Sequence, residues 1–332
     1  MEKIKKIKCI KLWTDLMFLP DGEAYTCCPR WIKKSVGNIK EQTIKQIWNG
    51  SIIKVMRRKM LNNNWQDICA KECPYIAKNN VEYLDKIKYK KVSKGIIQNK
   101  TVALSLPINY QLANWSLCNL KCIMCTSGNG KRKNPEKKPV YTKKMIDDIL
   151  RNLDDCRDII LSTNGDPFVR PDCMNLMAEH DLKIKYPKLR FSIYTNGILF
   201  NLFNWNKIKH NNFNFVDVSI DAATKKTYEK IRVGGKWEIL MNNLEFIKSL
   251  KDKGIIRKMY INFCIMKSNY KEIPQFVELG KKLNVNQIYF MKLISDGIEK
   301  ENIFKSKTDL VELKKIIDNI PAEDKKITDF AI

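Results

Sequence analysis

The sequence predicts an α/β protein: a partial (β/α)6 barrel or an open doubly wound sheet, preceded by a small β-hairpin-plus-helix module. Three observations carry this. From residue 111 onward, short apolar runs alternate with amphipathic stretches, as in β-α units whose strands lie parallel. Near the start, Asp21-Gly22 stands between short apolar runs, which is a hairpin signal. Between these regions, residues 78–108 are polar and Lys-rich without a clear period, and are expected to be a linker. The expected division is therefore 1–77, the linker 78–108, and the barrel 109–332.

In the N-terminal module, the hairpin should place Cys27 on its return strand. Gly37-Asn38 should make the next turn, and 42–60 has helical periodicity. In the larger part, strands are expected at 111–117, 158–162, 190–194, 215–220, 259–265 and 287–293. Helices are expected at about 142–153, 173–184, 200–209, 237–252 and 271–282. Right-handed crossovers would join the strands, putting functional residues at their C-terminal ends. Residues 131–139, KRKNPEKKP, are too charged and proline-broken to pack and should form a solvated loop.

The 332 residues are 44% hydrophobic and 29% charged, which excludes a disordered tail, a collagen and a coiled coil. No apolar run approaches the ~20 residues of a membrane helix. The first residues lack the apolar stretch and cleavage site of a secretory signal, so a cytoplasmic protein is expected. The net charge is +25, about +13 of it within residues 1–100. Such charge attracts nucleic acid, acidic peptides or phosphate groups. No RNP, KH or helix-turn-helix signature accompanies it, and the Lys-, Ile- and Asn-rich usage of an AT-biased genome accounts for it. Eleven cysteines, an odd number without an export signal, point to thiols rather than disulfides. With only His180 and His210 present, a His-rich metal site is excluded and sulfur must do any repeated metal binding.

Cys118, Cys122 and Cys125 form CxxxCxxC directly after the first barrel strand. Three soft thiolates so close together can hold three corners of one iron–sulfur cubane and leave the fourth iron open. A structural zinc site normally takes four ligands, and only three are local here.

Further motifs follow in order: Asn164-Gly165-Asp166-Pro167, Thr195-Asn196-Gly197, Ser219-Ile220-Asp221, and Tyr228-Glu229-Lys230-Ile231-Arg232 before Gly234-Gly235. With the cysteine motif, over about 110–320, they resemble the radical S-adenosylmethionine (SAM) superfamily and its TIM-like barrel. Asn164 and Asp166 stand where the family usually has Gly and Glu, in a segment that meets the methionine amino group. The resemblance implies a [4Fe-4S] cluster with an open iron, bound SAM, and a reductant such as flavodoxin or ferredoxin. It further implies reductive cleavage of SAM to a 5′-deoxyadenosyl radical that abstracts a substrate hydrogen. No catalytic side chain beyond the cluster and SAM is then required. Within the implied SAM site lie Asn164, Gly165, Asp166, Pro167, Thr195, Asn196, Ser219, Asp221 and Arg232. Asp166 can accept from an ammonium, Arg232 can fork onto a carboxylate, and Ser219 and Asp221 can hydrogen-bond ribose hydroxyls. Simple turns at Asp166-Pro167 and Asn196-Gly197, a surface charge at Arg232 and packing at Tyr228 are the local alternatives.

Toward the N-terminus, DGEAYTCCP, the Gly37-Asn38-Ile39 turn, the Ile47-Trp48 helix and the pair Cys69 and Cys73 resemble the twitch/SPASM cluster-binding module, here preceding the barrel. Cys9, Cys27, Cys69 and Cys73 would then close an auxiliary [4Fe-4S] cluster, with Cys28 as alternative to Cys27 and a four-thiolate zinc site as alternative to iron. Cys264 reads as core, and Cys156 and Cys173 have no partner motif. By the resemblance, the leading expectation is oxidative modification of a peptide or protein. A sugar or other small metabolite comes next, and nucleic acid last. A non-catalytic iron–sulfur carrier or sensor is the reading from another class, and it would not require the SAM-contacting motifs.

Overall fold

The computed structural model describes residues 6–77, 82–98, 100–113, 117–125, 141–161, 165–179, 181–293 and 298–331. The chain divides into two units, one of Met1–Ala113, Pro139–Ile160 and Asp181–Leu189, the other of Asn114–Lys138, Leu161–His180 and Arg190–Ile332.

The first unit contains β1 (Lys6–Ile7), β2 (Asp15–Phe18), β3 (Glu23–Tyr25), β4 (Gly37–Asn38), β5 (Glu82–Tyr83), β6 (Asn109–Leu112) and all but the last residue of β7 (Asp158–Leu161). Gly22, at φ +94°, makes the expected hairpin turn between antiparallel β2 and β3. Two local expectations are corrected. The return strand ends at Tyr25, so Cys27 lies just beyond it. Gly37-Asn38 is itself a strand, because Val36 donates to Ala24 O and Ile39 to Gly22 O, which continues the ladder along β3. Strand β6 runs parallel beside β2, with Asp15 opposite Asn109 and Met17 opposite Gln111. Tyr141 ties this region together, its buried hydroxyl bonded to Phe18 O and Ala113 O.

The helices here are α1 (Lys11–Thr14), α2 (Ile44–Trp48), α3 (Ser51–Leu61), α4 (Pro74–Ala77), α5 (Lys90–Ile97) and α6 (Lys143–Leu150). The continuous period over 42–60 breaks in two: Thr43 and Gln46 form a capping box for α2, and Gly50 caps α3. Arg57 on α3 is fully buried, donating to Leu12 O at 2.8 Å, Thr101 O at 3.0 Å and Asn49 Oδ1 at 2.8 Å. Its guanidinium also lies 4.7 Å from the Trp48 ring centroid. The stretch expected as a linker carries β5 and α5, because Val92 and Ile96 are buried and Lys91 reaches Asp155 at 2.7 Å.

The second unit is a run of parallel strands in spatial order β8 (Arg190–Thr195), β9 (Phe213–Ser219), β10 (Ile256–Ile265), β11 (Gln287–Lys292) and β12 (Thr328–Ala331). Its helices are α7 (Pro171–Ala178), α8 (Leu202–Ile208), α9 (Lys225–Ile231), α10 (Trp237–Asp252), α11 (Ile273–Lys282) and α12 (Lys307–Asp318). The register puts Ile193, Val216, Val218, Ile261, Phe263, Ile288 and Phe290 on one face, all buried. Phe276 of α11 packs on that face, its ring centroid 4.8 Å from that of Phe263. Each such side chain contributes roughly 1.5–3 kcal/mol by leaving water. The opposite face carries Tyr194, Phe215, Asp217, Tyr260, Asn262 and Tyr289.

The α/β class holds, and strands stand at five of the six expected places, while the first is Asn109–Leu112 and overlaps the expected 111–117 only at its start. Helix α10 occupies the expected span, whereas 173–184 splits into α7 and a separate short α-helix at Leu182–Lys185. The loop expected at 131–139 lies outside the described residues. Among the described residues no helix is long and apolar enough to cross a membrane.

Candidate active site

The three central thiols lie on an irregular segment held by the chain that follows α9. Lys121 N–H donates to Val233 O at 2.8 Å, and Ile123 N–H to Ile231 O at 3.0 Å. Gly234, at φ +93°, turns this chain beside Asn119 O. Ile123 and Met124 pack against Ile231, Met266 and Leu293, so the apolar residues between the last two cysteines anchor the loop. Cys122 is buried, while Cys118 and Cys125 are half-buried.

Cys122 meets a buried ion pair. Arg232, at the end of α9, donates from Nη1 to Cys122 Sγ at 3.6 Å and pairs with Asp221 through Nη2. Asp221 follows β9 in the left-handed region, at φ 62°, which an Asp side chain tolerates. Its carboxylate accepts from Cys264 N–H at 2.7 Å, and Asn269 Nδ2 holds the Asp221 and Cys264 carbonyls, each at 2.9 Å. Burial pushes the Cys122 thiol and the Asp221 carboxyl up, and the Arg232 charge pulls both down. Arg232 itself is held firmly protonated by Asp221. Among the described residues, Tyr228 Oη and Arg232 Nε are buried polar atoms without a hydrogen-bond partner.

Asp166 is fully buried at the turn after β7. Oδ1 accepts from Phe168 N–H at 3.1 Å, and Oδ2 from Thr195 Oγ1 at 2.7 Å and Asn196 N–H at 2.9 Å. Burial raises its pKa, opposed by these donors and by Arg232. Pro167 opens a short 3-10 turn, and Gly165 takes φ +87°. Asn196 Nδ2 reaches Cys118 Sγ at 3.5 Å and Asn119 Oδ1 at 2.8 Å. Ser219 closes β9, half-buried and opposite Asn262 in register. Asn164 lies outside the described residues.

Asp166, Thr195, Asn196, Asp221 and Arg232 thus stand around the thiol loop, but as mutual partners. The Arg232 fork is engaged by Asp221, and the Asp166 oxygens by Thr195, Asn196 and Phe168. Sequence reading missed Asn119 and Asn269, which no motif flags, and placed Cys264 in the core. Cys264 is half-buried beside Asp221.

In the first unit, Cys9, Cys27, Cys69 and Cys73 line one pocket, together with Lys11 and Trp31. Ala70 N–H donates to Trp31 O and Lys33 N–H to Ile68 O, holding Cys69 against the chain after Cys28. Cys28 is exposed and lines the adjoining cavity instead, so Cys27 is the thiol placed with the other three. Burial pushes Cys9 up to about 12 and Cys27 and Cys69 up to about 11. Such thiols ionise when a metal supplies the compensating charge. Among the described residues no group of three or more His, Cys, Asp or Glu side chains is arranged to hold a metal ion. The fit to clusters lies in donor chemistry: four thiols share one pocket, and in the central loop Cys118 and Cys122 accept from Asn196 and Arg232. Sulfur is the ligand iron–sulfur clusters take.

Residues 115–280 match the radical SAM superfamily model, and residues 9–74 match SPASM, an iron-sulfur cluster-binding domain. A Saccharolobus islandicus protein (strain Y.N.15.51) named "Probable GTP 3',8-cyclase" is 27% identical over 208 residues, 61% of this chain and 62% of its own. A Methanococcus maripaludis protein of the same name is 26% identical over 181 residues, 53% of this chain and 55% of its own. The chain therefore spans less than two thirds of the length of these relatives. Among solved structures, Streptococcus suis SuiB bound to S-adenosylmethionine aligns with a TM-score of 0.50 at 18% identity, over 86% of this chain and 62% of that one, a likeness of fold. The two domains bring a [4Fe-4S] cluster with SAM and an auxiliary cluster. The larger matched stretch holds the three central thiols and each strand-end motif from Asn164 to Arg232, and the chain belongs to the radical SAM superfamily.

Proposed function

We propose that Cys118, Cys122 and Cys125 hold the cluster that binds SAM, and that the protein oxidatively modifies a peptide or protein. The observation that supports this most is the pairing of thiols with donors: Arg232 on Cys122 at 3.6 Å and Asn196 on Cys118 at 3.5 Å. A cationic or amide donor favours thiolate over thiol, as an iron ligand requires. When bound, the cluster and SAM supply a one-electron cleavage that yields a 5′-deoxyadenosyl radical, which takes a substrate hydrogen. Asp221 keeps Arg232 charged and aimed at Cys122. Asp166 fixes Thr195 and Asn196, and through Asn196 the position of Cys118. Tyr228 Oη and Arg232 Nε, unpartnered among the described residues, offer buried polar contacts to SAM, and Ser219 at the end of β9 offers another.

We assign 1–77 to the auxiliary domain and 109–332 to the barrel. In the auxiliary domain Cys9, Cys27, Cys69 and Cys73 hold the second cluster, and a flavodoxin- or ferredoxin-type reductant supplies electrons. The peptide reading rests on the SPASM-type module, whose relatives often modify peptides. A second reading, a small nucleotide substrate, is favoured by the names of the curated relatives and by the net charge of +25. Anaerobic incubation with SAM and dithionite tests the chemistry: an enzyme releases 5′-deoxyadenosine, and a mere electron carrier does not. Parallel incubations with GTP and with acidic peptides separate the two substrate readings by which one is consumed.

A further inference from the structure

The pocket lined by Cys9, Cys27, Cys69 and Cys73 also contains Lys11, the first residue of α1. Its ammonium lies 3.6 Å from Asp15 Oδ1 and 4.9 Å from the Tyr75 ring centroid, and its side chain is 26% exposed. Among the described residues, Lys11 is the positive charge acting on both Cys9 and Cys27. Lys33, which acts on Cys69, is exposed and hydrogen-bonds Gln66 O. Lys11 and Cys27 also line the adjoining cavity of about 160 Å³, where Asp15 joins them.

We propose that Lys11, counterbalanced by Asp15, sets the reduction potential of the auxiliary cluster. The inference rests on the auxiliary-cluster reading above. Reduction adds one electron to the cluster core, taking it from 2+ to 1+, with no bond made or broken and no proton moved. Four thiolates already make the site net negative, so the added electron is stabilised by a fixed cation beside it and disfavoured by a fixed anion. Both effects survive in a partly buried site, where water screens charge weakly. Lys11 therefore raises the potential and Asp15 restrains it. Lys11 thus favours, and Asp15 limits, reduction of the auxiliary cluster by a substrate radical that is itself oxidised.

The test uses the full-length protein, anaerobically reconstituted, with Cys118, Cys122 and Cys125 changed to Ala so that only the auxiliary cluster reports. A mediated dithionite titration followed by electron paramagnetic resonance gives the midpoint potential. Lys11→Met is expected to move the midpoint to more negative values, Asp15→Asn to more positive values, and Lys11→Arg to leave it close to the parent. Opposite signs for the first two are the signature of a field effect, because a merely structural disturbance has no reason to produce them. If Lys11→Met loses its iron, Lys11→Gln takes its place with the same expected negative shift, read against the positive shift in Asp15→Asn. Unmoved midpoints, or shifts of the same sign, overturn the proposal. A parent without a four-iron cluster overturns the auxiliary-cluster reading itself, and the iron content distinguishes the two failures.

Discussion

Arg232 Nη1 lies 3.6 Å from Cys122 Sγ across 110 positions of sequence, joining the end of α9 to the thiol loop. The same guanidinium pairs with Asp221, so one buried cation serves a carboxylate and a thiol together. With Cys122 as the proposed cluster ligand, removal of Arg232 should be felt in both folding and cluster binding.

Arg232→Ala should destabilise the protein by about 3–5 kcal/mol, because it leaves Asp221 buried without its partner. Urea denaturation measures the loss, and iron content should fall with it. Asp221→Asn with Arg232→Ala should recover part of the stability while iron and SAM affinity stay low. Full stability in the single variant would show that the pair is not holding this region.

Changing Cys118, Cys122 and Cys125 together to Ala should remove one cluster, taking bound iron from about eight to about four per chain. Release of 5′-deoxyadenosine should disappear. Colorimetric iron analysis and chromatography of the SAM products check both outcomes, and surviving SAM cleavage would contradict the assignment of this loop.

The thiol spacing and the strand-end motifs were legible because each is local: ligands on one loop, or short motifs at the ends of strongly apolar strands. Helix α10 was legible because sixteen residues sample more than four turns of its apolar face. The break between α2 and α3 was not, since Asn49-Gly50 interrupts a period that continues on both sides. Nor was α5, whose eight residues, KKVSKGII, hold few apolar positions. In the candidate site, residue identities were readable but partners were not. That Arg232 would meet Asp221, and Asp166 would meet Thr195, depends on how separate strand ends converge, which spacing along the chain does not encode.

Asp217 should impose a pH dependence on stability. It is 3% exposed on β9, receives a hydrogen bond from Asn262, and is flanked in register by Tyr194 and Tyr260, with the exposed Lys258 on the next strand. Burial pushes its carboxyl up to about 7 from the ordinary 3.8. Between those values the unfolded chain ionises Asp217 and the folded chain does not, so this residue lowers stability as pH rises through that window. Below the window it costs nothing. The slope attributable to it is at most about 1.4 kcal/mol per pH unit. Urea midpoints measured from pH 5 to 8 should fall less steeply in Asp217→Asn, and identical slopes would show that the carboxyl ionises as easily folded as unfolded.

The auxiliary thiols make the final prediction. Cys69 faces Ile32 across an isolated bridge, and Cys73 immediately precedes α4, so a cluster there would clamp the 65–77 segment to the chain beyond β3. Replacing Cys69 and Cys73 with Ala removes two of four ligands and should release that clamp, because metal binding and folding are coupled in small cluster domains. Residues 1–75 should then be cut faster in limited proteolysis. The three central thiols are untouched, so 5′-deoxyadenosine release without substrate should stay near wild type if the barrel remains folded. Conversion of the true substrate should fall much further if, as proposed, the auxiliary cluster is the route by which an electron enters or leaves its radical. The comparison is of uncoupled SAM cleavage, substrate conversion and proteolysis in the same two proteins. Equal substrate conversion would rule out electron transfer through this cluster, and zinc in place of iron in the anaerobic protein would make the module structural alone.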